Sequence, residues 1–95
     1  MWRLLTFDLE RKWQLDANVA LRPERFGALA YDFGTRRLTF LKTRVLHDVV
    51  VGLGNHASAR EACLAAGVDE AELPRYAHAL ASLAESGMIR PGADC

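Results

Sequence analysis

The chain has little of what usually announces chemistry. In 95 residues it has two cysteines, three histidines and three prolines, and its twelve basic and twelve acidic side chains cancel. Two cysteines do not make a disulfide framework. Cys95 is the last residue and Cys63 falls on the apolar side of a predicted helix, so Cys63 reads as a buried small hydrophobe. With no framework and no export signal, the expected compartment is the cytoplasm. The opening MWRLLTFDLERKW is apolar, but Arg3, Asp8, Glu10 and Arg11 interrupt it, so it lacks the unbroken run of roughly 7–15 apolar residues of a signal peptide. No stretch approaches the ~18 apolar residues of a membrane span, so no membrane partner is expected. Zero net charge gives no overall field toward nucleic acid or anionic lipid. It also gives little colloidal protection, which suits a protein that lives beside a partner.

Reactive constellations are missing as well. His47, His56 and His78 are scattered, and none has a second His, Cys or carboxylate at metal-ligand spacing. A nucleophile–base pair between Cys63 and a distant histidine has no local support for activation. No P-loop, GxGxxG or paired-Cys motif occurs. The expectation is a protein that is not an enzyme and takes no metal or cofactor.

What is present is a packed globule. Hydrophobic content of 51% excludes disorder, and a domain of this length buries roughly two-thirds of its unfolded-chain surface. Trp13, Leu15, Ala17, Val19 and Leu21 alternate as in a half-buried strand, and Arg22-Pro23 makes a rigid corner that stops the ladder. Phe26 to Phe33 forms a second strand, with Leu29, Tyr31 and Phe33 on one face and Ala28 and Ala30 on the other. Asp32-Phe33-Gly34-Thr35 is a tight reversal, in which Gly34 supplies a positive φ and Asp32 bonds backbone amides. Arg36 to Leu41 is the third strand. Thr43 caps a first helix carrying Val45, Leu46, Val49, Val50 and Leu53, ended by Gly52 and Gly54-Asn55. Ser58 and Glu61 form a capping box for Ala59–Ala66, closed by Gly67. Pro74 sits in the first turn of a third helix that runs to about Ser86 with Gly87 as its stop. The class is α+β, three antiparallel strands and then three helices.

Two short helices before a longer one also fit a winged helix-turn-helix DNA-binding protein. The third helix, however, carries Arg75, His78 and Arg90 against Glu70, Glu72 and Glu85, too little positive charge for phosphate contacts. The third strand has no proline and no inward-pointing charge, so it is an unprotected edge suited to β-augmentation by a peptide. Arg36-Arg37 at its start reads as a solvated strand entrance or part of that edge. The chain's own N-terminus or a second copy would also cover such an edge. Leu5-Thr6-Phe7-Asp8-Leu9 alternates as a strand would and is expected to pair with an edge, favouring self-association.

Trp13-Gln14-Leu15, Val19-Ala20-Leu21-Arg22-Pro23-Glu24, Phe26-Gly27-Ala28-Leu29-Ala30-Tyr31, Phe33-Gly34-Thr35-Arg36, Phe40-Leu41-Lys42 and Ser86-Gly87-Met88 resemble the PqqD-like peptide chaperones, the precursor-recognition elements of ribosomal peptide biosynthesis. Within that group the likeness is to the mycofactocin branch. The resemblance covers residues 13–91, leaving residues 1–12 as an extension and 92–95 as a tail. It implies a winged-helix-like fold that binds a precursor's leader region and presents it to a radical S-adenosylmethionine maturase, to which the chemistry belongs. Strand and resemblance together point to Arg37, Leu38, Thr39, Phe40 and Leu41, with Tyr76, Leu80 and Leu83 lining the helix side.

Overall fold

The computed structural model describes residues 7–92. It comprises strands β1 (Trp13–Leu15), β2 (Val19–Glu24), β3 (Gly27–Asp32) and β4 (Leu38–Leu41), helices α1 (Arg44–Gly52), α2 (Ala59–Ala65) and α3 (Leu73–Glu85), and strand β5 (Ile89–Pro91). β2, β3 and β4 form one antiparallel sheet in that order, and β1 pairs with β5 in a second, two-stranded sheet. The expected winged-helix-like α+β order of a three-stranded meander followed by three helices holds.

The first strand is two strands. Asp16 breaks it, because its Oδ1 accepts the Asn18 N–H at 2.8 Å and its carbonyl accepts the Val19 N–H at 3.0 Å, a tight local turn. β1 therefore leaves the meander and pairs with β5, Trp13 opposite Pro91. Three residues after Gly87 carry no readable period, so β5 has no sequence signal of its own.

Pro23 is no corner. It lies inside β2 opposite Ala28, and the reversal falls at Arg25-Phe26, after which Gly27 pairs with Glu24. Asn18 O accepts the Phe33 N–H at 2.8 Å. Bonding in an antiparallel pair alternates, so residues 20, 22 and 24 share this bonded parity with β3. The nitrogen of residue 23 then faces away from the ladder, where proline removes no bond.

The reversal after β3 uses Asp32 as expected, its Oδ1 accepting the N–H groups of Gly34 (2.8 Å) and Thr35 (3.1 Å). The positive φ belongs to Arg36, at 65°, and not to Gly34. Arg36 N–H donates to Asp32 O at 2.7 Å, closing a four-residue loop whose last residue turns left-handed. Gly34 leaves little room: an added Cβ would lie 3.2 Å from Asp32 Oδ1 and 3.3 Å from Asn18 Nδ2, so one of those side chains would have to shift slightly. This loop takes up Arg36 and Arg37, so the third strand starts at Leu38.

The sheet's inner face is lined by small residues, Ala28 and Ala30, with Val19 and Leu41 beside them, all buried. Helix α1 packs there through Leu46, Val49 and Val50. Thr43 Oγ1 accepts the Leu46 N–H at 3.0 Å, and Ser58 Oγ the Glu61 N–H at 3.1 Å, the caps read from sequence. Gly67 and Gly87, at φ 96° and 81°, end α2 and α3. The next amides, Val68 and Met88, donate back to Cys63 O and Leu83 O, and both side chains are buried, the full Schellman arrangement.

Phe7 and Leu9 pack against this core. Trp13 is fully buried, its indole N–H donates to Asp8 O at 2.9 Å, and its ring lies 4.9 Å from that of Phe7. The carbonyls of Arg11 and Leu9 each accept at 2.9 Å from Ala59 and Arg60, satisfying the first amides of α2. The expected N-terminal strand is thus corrected for its described part, Phe7 to Leu9: these residues pair with no strand among the described residues, Asp8 to Arg11 make a turn, and that turn's carbonyls cap α2. Leu5, Thr6 and Cys95 lie outside the described residues.

Candidate functional site

β4 ends the three-stranded sheet, and beside its far edge runs a groove of about 530 Å³ between β4 and α3. Thr39, Phe40, Leu41, Lys42 and Thr43 form one wall. Arg75, Tyr76, His78, Ala79, Ser82 and Leu83 of α3 form the other, with Leu46 of α1 between them. Asp32 N–H donates to Arg37 O at 2.9 Å, which sets the parity of this pair. Thr39 and Leu41 share that parity and bond toward Ala30 and Ala28. The amides of Leu38, Phe40 and Lys42 therefore point away from β3, toward the open edge. The close approach of β3 and β4 makes Gly27 necessary, because a Cβ there would overlap the Leu41 carbonyl oxygen.

Of the residues expected from sequence, Thr39, Phe40, Leu41, Tyr76 and Leu83 come together in this groove. Leu80 does not line it: it is fully buried under α3 and supports the wall from behind. Arg37 precedes β4, and the Leu38 side chain lies on the sheet's other face, 61% exposed. Sequence reasoning missed Lys42, Thr43, Leu46, Arg75, His78, Ala79 and Ser82. Arg75, Ala79 and Ser82 recur at helical spacing beside Tyr76 and Leu83, a signal hidden by their mostly polar character. Lys42 and Arg75 put a cation on each wall, and no acidic residue is among the lining. Such a groove suits an extended peptide with apolar side chains pointing in and carboxylates at its flanks.

Other candidate groups lie elsewhere. Burial pushes the Cys63 thiol up, with Arg60 opposing, which leaves it protonated and inert. Among the described residues no three His, Cys, Asp or Glu side chains gather as a metal would require. No described helix is long and apolar enough to cross a membrane.

Fold and groove together define a small α+β module of the winged-helix-like class, with the β4 edge of its three-stranded sheet facing a groove. The chain belongs to the peptide chaperone MftB family, whose model matches residues 12–90. It is 55% identical over 85 residues to the peptide chaperone MftB of Mycobacterium ulcerans (strain Agy99), covering 90% of this chain and 78% of that one. It is 50% identical over 88 residues to that of Mycolicibacterium smegmatis, covering 93% and 86%. Against that of Mycobacterium tuberculosis it is 46% identical over 105 residues, covering 96% of each. No solved structure gives a significant match.

Proposed function

We propose that this chain is a non-catalytic, cytoplasmic chaperone of mycofactocin-type peptide biosynthesis. In this reading it holds the leader of a ribosomally made precursor as an added strand along β4 and presents it to a radical S-adenosylmethionine maturase. The observation that carries the reading is the parity of β4: the amides of Leu38 and Phe40 face an apolar groove instead of another strand. Main-chain bonds there supply affinity, and alternate side chains of the peptide enter between Tyr76, Leu83 and Leu46. Redox and bond-making chemistry falls to the maturase. The name shared by the relatives supports the chaperone role.

Titration of the isotope-labelled protein with the synthetic leader tests this. Amide shifts are expected to concentrate at residues 38–42 and 75–83, with one peptide bound per chain. Saturable binding whose shifts cluster on α2 or on the β1–β5 sheet would place the ligand elsewhere and end the strand-addition mechanism.

A further inference from the structure

The sheet has an outer face that the groove does not use. Among the described residues, four of the six large hydrophobic side chains most exposed to solvent, Phe26, Phe33, Leu38 and Phe40, belong to it. They are not scattered. Phe26 and Phe40 pack edge to face at 5.1 Å, Tyr31 and Phe33 at 4.9 Å, and register places Leu29 beside Phe40 and Tyr31 beside Leu38. A continuous exposed apolar surface of this kind marks an interaction site.

Charge gives that surface a sign. Between residues 19 and 44 the sequence has six basic residues and two acidic ones, so the rest of this net-neutral chain is acidic. Asp32 is buried with its carboxylate on the reversal's amides, which leaves only the half-buried Glu24, ion-paired with Arg22 at 3.4 Å, as a solvent-facing acid of that stretch. Arg25 stands beside Phe26 in one turn, and Arg36 and Arg37 follow Phe33 in the other. Because arginines flank both ends of the face, face-to-face pairing of two copies would set arginines against arginines. The complementary surface is apolar at its centre and carboxylate-rich at its rim.

We propose that this outer face is the docking surface for the enzyme that acts on the bound peptide, through an apolar patch ringed by carboxylates. The inference rests on the chaperone reading above. Phe40 joins the two surfaces: it lines the groove and packs on Phe26. A peptide strand added beside β4 would extend the same sheet, so its outward side chains would lie level with Leu38 and Phe40. An enzyme seated on this face would meet the chaperone and its peptide side by side.

The test uses the full chain, the purified maturase and the synthetic leader in separate titrations. Phe26→Ser with Phe33→Ser should weaken maturase binding by about tenfold or more, as expected for hot-spot anchors, and leave leader affinity within about twofold. Arg25→Glu with Arg37→Glu, which leaves every apolar contact in place, should weaken maturase binding and flatten its salt dependence. Tyr76→Ala should do the reverse, weakening the leader and sparing the maturase. Variants that bind the maturase as the parent does overturn the proposal. So does loss of a parent dimer in Phe26→Ser/Phe33→Ser by sedimentation, which would make the face a self-association site. Binding of the face to vesicles of phosphatidylserine and phosphatidylcholine in equal parts, without an effect on the maturase, overturns it in favour of a membrane. If the parent chain binds no leader, the chaperone reading itself falls; if it binds leader and only the outer-face variants are silent, this inference alone falls.

Discussion

The two edges of the three-stranded sheet are managed in opposite ways. On β2, Pro23 occupies a position whose amide would have pointed to solvent, and Arg22 and Glu24 place charges beside it. Both are ordinary devices for keeping another chain from adding a strand. On β4, the amides of Leu38 and Phe40 are kept, and a groove with an apolar floor lies next to them. The fold blunts one edge and leaves the other beside a groove, an asymmetry that the proposed strand addition on β4 requires. The contrast carries more information than the open edge alone, because an edge with neither proline nor charge is otherwise only an aggregation hazard.

The largest expected effect removes the contrast by removing the sheet. Gly27 has no room for a Cβ, since the obstacle is the Leu41 carbonyl and not a side chain that can turn away. Gly27→Ala must push β3 and β4 apart, costing about 3 kcal/mol and lowering the melting temperature by about 15 °C for a domain of this size. A thermal midpoint close to the parent's would show that the two strands separate more easily than their register suggests. Leu80→Ala belongs to the same range, about 2–5 kcal/mol, because its side chain is fully buried. Its folded fraction should nonetheless bind leader normally, since Leu80 supports the groove wall without lining it.

Substitutions on the edges themselves sharpen the comparison. Leu38→Pro deletes an amide that faces the groove while keeping β4's bonds to β3, so leader affinity should fall by about fivefold per lost bond. Leu38→Ala is its side-chain control and should bind leader as the parent does. Thr39→Pro removes an amide directed at β3 and should unfold the edge outright. On the other side, Pro23→Thr restores an amide to β2. It should cost about 0.4–1 kcal/mol through the freer unfolded chain and gain no leader binding. Denaturant midpoints and leader titrations on the same four proteins decide this. If Leu38→Pro is folded and binds like Leu38→Ala, the peptide does not add to β4.

Local chemistry made much of the fold legible. Thr43 and Ser58 cap because their hydroxyls accept amides three residues on, and Gly67 and Gly87 end helices because positive φ suits glycine; each signal lies within a few residues. The open edge was legible because β4 contains no proline. What depends on distant partners was not. Nothing near Leu9 or Arg11 announces that their carbonyls will meet α2's first amides, so alternation there read as a strand. Pro23 read as a corner because its harmlessness depends on the parity of a partner strand. The groove's polar lining, Lys42, Arg75 and Ser82, is positioned by the gap between β4 and α3, which no periodicity encodes. The two-stranded β1–β5 sheet joins chain segments far apart, and β5 has only three residues to signal it.

The smallest effect tests the turn that sends β1 away from the meander and so leaves β2 as an edge. The Asn18 amide holds the Asp16 carboxyl below the usual aspartate range, and the Arg90 guanidinium 3.3 Å away adds to this, against some opposing burial. The folded chain thus binds this proton less readily than the unfolded one. The resulting stability is fully present above the unfolded value of about 3.9 and is lost as pH falls through the lower folded value. Asp16→Asn keeps an oxygen for the Asn18 amide but gives up the charge. It should therefore be slightly less stable than the parent at neutral pH, with the difference shrinking as pH falls from 4 toward 2. Urea midpoints of both proteins across that window measure it. Leader affinity should be the same in both at neutral pH, because Asp16 lies at the β1–β2 turn and not along β4. A constant difference in midpoint at every pH would assign the loss to packing at the turn and take the ionised carboxylate out of the account.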